Sequence, residues 1–114
     1  MKIHLFTEIT YMTSHYDYYL DMYDDDGDLI DVYSFDSWLA TRPNEVRKFY
    51  SFSSHWIAWL ADIAGDRIMP DETIEIIDLI HTLSAEKNFM LSLSEFLKSH
   101  TICYHYQNNE ITII

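Results

Sequence analysis

An α+β fold is predicted by three features of the chain. Apolar and polar residues alternate at both ends, apolar residues recur at three- and four-residue steps in the middle, and turn residues punctuate the boundaries. Strands grouped apart from helices predict an antiparallel sheet of four or five strands, built from an N-terminal strand and hairpin and a C-terminal hairpin. Three or four helices should pack on one face of it. At 114 residues the chain is expected to be a single domain, residues 1–114, large enough to bury one core without disulfide or metal. A hydrophobic share of 48% is too high for a disordered chain despite its charge.

The first strand is read over Lys2 to Thr13. Ile3, Leu5, Thr7, Ile9 and Tyr11 fall on one side, and Lys2, His4, Phe6, Glu8 and Thr10 on the other, the alternation of a half-buried strand. Tyr16 to Phe35 reads as a hairpin around Asp25-Asp26-Gly27-Asp28, because Asp-Gly between alternating residues is a strong hairpin signal. Pairing the apolar sets puts Tyr18, Leu20, Met22, Ile30 and Val32 toward the core. Tyr19, Asp21, Tyr23, Asp31 and Tyr33 then face outward.

Asp36 is the expected N-cap of a short helix, Ser37 to Ala40. Pro43 suits the start of a longer helix over Asn44 to Ala64. Val46, Phe49, Ser53, Trp56, Leu60 and Ile63 mark one face of it, and Phe52, Ile57 and Trp59 widen the apolar arc to that of a central helix. Gly65 should stop it. The next helix opens at Met69-Pro70-Asp71-Glu72 and runs to about Glu86, with Ile74, Ile77, Ile80 and Leu83 inward and Ile76 and Leu79 alongside. Ser92 and Glu95 form a capping box for Leu93 to Ser99, with Phe96 and Leu97 inward. Thr101 to Tyr106 and Glu110 to Ile114 form a second hairpin around Gln107-Asn108-Asn109.

Charge narrows the function classes. The net charge is −12, and residues 1 to 41 hold nine carboxylates against Lys2 alone, or −8. A chain with such an acidic pole and no basic stripe is not expected to bind nucleic acid directly. It repels anionic membranes and attracts basic protein surfaces. The start M-K-I-H-L-F-T-E-I-T carries an acid and lacks a signal-peptide core, and no apolar run approaches the ~18 residues of a bilayer span. With a single cysteine, Cys103, these features lead us to expect a cytoplasmic protein.

Catalytic and metal constellations fail on spacing. Aligning the glycine of an EF-hand loop on Gly27 puts Met22 and Tyr33 where two essential oxygen ligands belong. His4, His15, His55, His81, His100 and His105 form no zinc-type spacing. Cys103 and His105 share a strand face but have no orienting third group. No enzyme activity, cofactor or metal is expected. A ligand pocket near His55, Trp56 and Trp59 is an alternative reading, for a small-ligand binder or enzyme.

The expected partner-binding site is therefore Tyr19, Asp21, Tyr23, Asp31 and Tyr33, with Asp24, Asp25, Asp26 and Asp28 at the turn. Aromatic anchors ringed by charge are what protein interfaces use as hot spots. In size and charge, though in no sequence motif, the chain is similar to the immunity proteins made against bacterial nuclease toxins. That resemblance implies a small acidic protein that binds and neutralises a basic partner, a toxin nuclease domain. The alternative is a phage-encoded mimic of nucleic acid that inhibits a restriction or CRISPR nuclease.

Overall fold

The computed structural model describes residues 2–10, 15–64, 77–82, 93–106 and 110–114, with the side chains of Val46, Ile63 and Ala64 left aside. Five strands form one antiparallel sheet: β1 (Lys2–Thr10), β2 (His15–Tyr23), β3 (Leu29–Ser34), β4 (Ile102–His105) and β5 (Glu110–Ile113). Their order across the sheet is β3-β2-β1-β4-β5. The helices are α1 (Phe35–Ala40), α2 (Asn44–Arg47), α3 (Phe52–Ala64), the helical residues 77–82 (α4), and α5 (Leu93–Phe96). The α+β architecture expected from the residue pattern is the one observed. The expected hairpin tip at 107–109, the stop at Gly65, the helix start at 69–72 and the cap at Ser92 lie outside the described residues.

β1 is central because both of its edges are paired. Ile3 and Leu5 pair with Met22 and Leu20 on one side and with Tyr104 and Ile102 on the other. All six are buried against Phe35, Phe52, Trp59, Leu60, Ile80 and Phe96. Tyr18 seals one end by stacking on Phe52, with ring centroids 3.8 Å apart. Thr7 ties the sheet to the helical layer, its hydroxyl donating to the Leu97 carbonyl at 2.7 Å.

Three expectations are corrected. First, β3 takes the opposite register: Leu20 faces Tyr33, Met22 faces Asp31 and Asp21 faces Val32. A shift between Met22 and Tyr23 then brings Leu29 opposite Tyr23 and leaves Ile30 unmatched. Tyr33 and Phe35 have the same parity. Phe35 is buried edge-on to Phe52 at 5.5 Å and to Trp59 at 5.8 Å. Turning two aromatic rings inward buries more apolar area than turning in Ile30 and Val32, which stay 40% and 50% exposed on an edge strand.

Second, the cap of α1 is Ser34, whose hydroxyl accepts the Ser37 N–H at 3.1 Å. Asp36 sits in the first turn and meets His15 at 2.6 Å.

Third, the long helix expected over Asn44 to Ala64 is broken at residues 48–51. Ser51 starts α3 anew: its hydroxyl accepts the Ser54 N–H at 3.3 Å, and its own N–H donates to His55 Nδ1 at 3.1 Å. Such reciprocal capping satisfies amides that a continuous helix would have paired internally. The break leaves Phe49 69% exposed. Phe52, Trp56, Trp59 and Leu60 form a single buried stripe, with Ile57 42% exposed. α3 is thus amphipathic rather than central.

Candidate partner-binding face

Strand alternation puts Lys2, His4, Phe6, Tyr19, Asp21 and Tyr23 on the face turned away from the core cluster. The registers set them in cross-strand rows. One row runs Val32, Asp21, His4, Cys103, Thr112, and the next runs Leu29, Tyr23, Lys2, His105, Glu110. Apart from the buried Cys103, these side chains are half-buried or exposed. The described helices pack against the other face.

Two ring pairs bridge β1 and β2 here. Phe6 stacks on Tyr19 with centroids 5.6 Å apart, and His4 tilts over Tyr23 at 4.8 Å. Lys2 Nζ lies 5.4 Å from the Tyr23 ring centroid, near enough for a cation–π contact. Stacked rings have few rotamers to lose, so this face is stiff before anything meets it.

Asp21 lies between the two ring pairs. It is half-buried, and among the described residues its carboxylate has no hydrogen-bond or ion-pair partner. Burial, with Glu8 adding, pushes the Asp21 carboxyl above its usual range. His4, directly opposite, is pushed down by burial and then by Lys2 and His105, so it is neutral at pH 7 and supplies no compensating charge. Burial, followed by the Asp17 carboxylate, raises the Tyr19 phenol, which keeps that hydroxyl protonated.

The acidic turn joins one end of this face. Gly27 takes φ +85°, a conformation that costs a residue with a Cβ. The ends are closed by Asp24 N–H donating to the Asp28 carbonyl at 3.0 Å and Gly27 N–H to the Asp24 carbonyl at 3.1 Å. Asp24 Oδ1 also accepts the N–H groups of Asp26 at 3.0 Å and Asp28 at 2.9 Å. One of the four turn acids is therefore a structural acceptor, while Asp25, Asp26 and Asp28 are exposed.

The expected site divides. Tyr19, Asp21 and Tyr23 come together on this face with the turn beside them. Asp31 and Tyr33, expected to face outward with them, turn to the helix side with the register. There Tyr33 donates its hydroxyl to Asp31 Oδ2 at 3.0 Å, and Asp31 Oδ1 accepts the Val32 N–H at 3.2 Å. A carboxylate bonded to an edge-strand amide guards that edge against pairing with another strand. Reading the hairpin alone missed Lys2, His4 and Phe6, although alternation within β1 already set them opposite Ile3 and Leu5.

Asp17 works on the fold. It is 8% exposed and accepts the Tyr18 N–H at 2.8 Å, the Ser34 hydroxyl at 2.7 Å and the Asp36 N–H at 3.1 Å. These bonds hold β2, β3 and the first turn of α1 together.

Among the described residues no three His, Cys, Asp or Glu side chains are grouped to hold a metal ion. Burial raises the Cys103 thiol, so it is not an activated nucleophile. No described helix is long and apolar enough to cross a membrane. Comparison with protein-family models, curated proteins and solved structures finds no match to the chain.

Proposed function

We propose that this chain binds and neutralises a basic partner protein, docking it on the Tyr19, Asp21, Tyr23 face and drawing it in with the acidic turn. The partner in this reading is a nuclease-type toxin, and the chain is a cytoplasmic immunity protein without chemistry of its own. The observation that carries it is Asp21, a half-buried carboxylate without a partner among the described residues, set between one stacked and one tilted ring pair. A desolvated acid is costly until a cation meets it. A lysine or arginine arriving from a phosphate-binding surface would satisfy Asp21, while the rings give it packed contact.

Asp25, Asp26 and Asp28 act at longer range, raising the encounter rate at low salt and losing that effect as the Debye length shrinks to ~8 Å at physiological ionic strength. Mimicry of nucleic acid is less well supported, because Asp17, Asp24 and Asp36 are engaged within the fold. They are therefore not free to form a phosphate-like array.

Where a toxin gene adjoins the one for this chain, the test is titration of the chain into that toxin's nuclease domain, reading cleavage of duplex DNA. One-to-one inhibition that Asp21→Ala weakens and the triple Asn variant of Asp25, Asp26 and Asp28 slows at low salt is expected. No inhibition at stoichiometric concentration sinks the reading, and inhibition relieved by excess uncleavable duplex in proportion to its concentration transfers it to mimicry.

A further inference from the structure

Behind the edge of β3, a groove of about 540 Å³ opens between β3, α1 and α3, within the size range of small-molecule sites. Trp38 and Tyr33 line it, and the buried Trp59 reaches it. Two opposite charges, Arg42 and Asp62, stand in the same groove. Neither is well satisfied by the other: Arg42 Nη1 is 3.5 Å from Asp62 Oδ2, an ion pair but a poor hydrogen bond. Asp62 Oδ2 instead accepts the indole N–H of Trp38.

The Arg42 guanidinium lies over the Trp38 ring at 4.8 Å. Its Nη2 donates to Thr41 Oγ1 at 3.0 Å, and its Nε is buried without an acceptor among the described residues. A guanidinium has five N–H donors, so most of them have no protein acceptor among the described residues.

This pairing selects the ligand. A singly charged molecule would be attracted by one groove charge and opposed by the other at almost the same distance, and a neutral apolar one would leave both desolvated. A zwitterion satisfies both. We propose that this groove binds a free aromatic amino acid, its carboxylate on Arg42, its ammonium on Asp62 and its ring against Trp38 and Tyr33. Being neutral overall, such a ligand escapes the repulsion that a net charge of −12 exerts on anions. The proposal is independent of the neutralisation reading, since it uses neither the open sheet face nor the acidic turn.

The probe is L-phenylalanine, titrated into the full chain and followed by calorimetry and by intrinsic tryptophan fluorescence. Saturable one-to-one binding is expected, at least tenfold tighter than that of 3-phenylpropionate, which lacks the ammonium, or of phenethylamine, which lacks the carboxylate. Arg42→Lys and Asp62→Asn should each weaken it at least tenfold with far-UV circular dichroism unchanged. Absence of saturable binding overturns the proposal, as does either half-ligand binding within threefold of phenylalanine. The half-ligand comparison uses the parent protein, so it decides even if a variant does not fold.

Discussion

Replacing Asp21 by Asn should make the protein more stable at neutral pH and a worse binder. The carboxyl of Asp21 is pushed up by burial and by Glu8, so the folded state disfavours its ionised form. Below the unfolded carboxylate range the group is protonated in both states and the substitution is neutral. As pH rises through the unfolded and then the raised folded pKa, the unfolded chain has fewer bound protons and the native state loses stability. That penalty is fully present above the folded pKa.

An unsatisfied buried polar group costs ~1–3 kcal/mol, and discounting for the half-exposed position of Asp21 leaves about 0.5–1 kcal/mol. For a domain of this size that is a rise in Tm of roughly 2–4 °C at pH 7, absent near pH 3. Against a basic partner, loss of a desolvated interface anchor costs about 2 kcal/mol, or roughly 30-fold in Kd. Paired thermal melts at the two pH values and an equilibrium titration measure both. A Tm that falls at pH 7, or rises equally at both pH values, refutes the account of Asp21 as an unpaired acid held ready for a cation.

The other acids separate by role. Asp17→Ala removes three hydrogen bonds to one buried carboxylate and should cost about 3 kcal/mol or more; a urea midpoint shift worth less than ~1 kcal/mol would contradict that. Asp24→Ala should lose ~1–2 kcal/mol with its two turn amides,. Asp26→Ala, whose side chain is exposed, should stay within ~0.5 kcal/mol, and denaturation curves showing equal costs would erase the distinction. Cys103, 2% exposed and with its thiol pushed up by burial, should react with iodoacetamide at pH 8 far more slowly in the native protein than in urea. Equal rates would mean that the thiol is not shielded.

Much of the proposed face could be read from the residues. Alternation fixed the parity of Tyr19, Asp21 and Tyr23, and the same counting along Lys2, His4 and Phe6 put them on the side away from Ile3 and Leu5. What it could not supply was that the two sets are neighbours, since that depends on which strands pair. The order β3-β2-β1-β4-β5 brings β1 between β2 and β4 and thereby aligns Asp21 with His4 and Cys103.

Periodicity and turn chemistry are local properties, and they determined the α+β class, the strands at both ends, the Asp-Gly hairpin and the inward set Tyr18, Leu20 and Met22. The tertiary structure decided the rest wherever two local patterns were both acceptable. On β3, Ile30 and Val32 could have faced inward, but Tyr33 and Phe35 bury larger rings against Phe52 and Trp59. Along residues 44–64 a continuous helix was compatible with the apolar spacing, but the Ser51 and His55 cap divides it. The Arg42, Trp38 and Asp62 groove has no signature in the chain at all, because its parts are brought together only when α1 and α3 pack on the same side of the sheet.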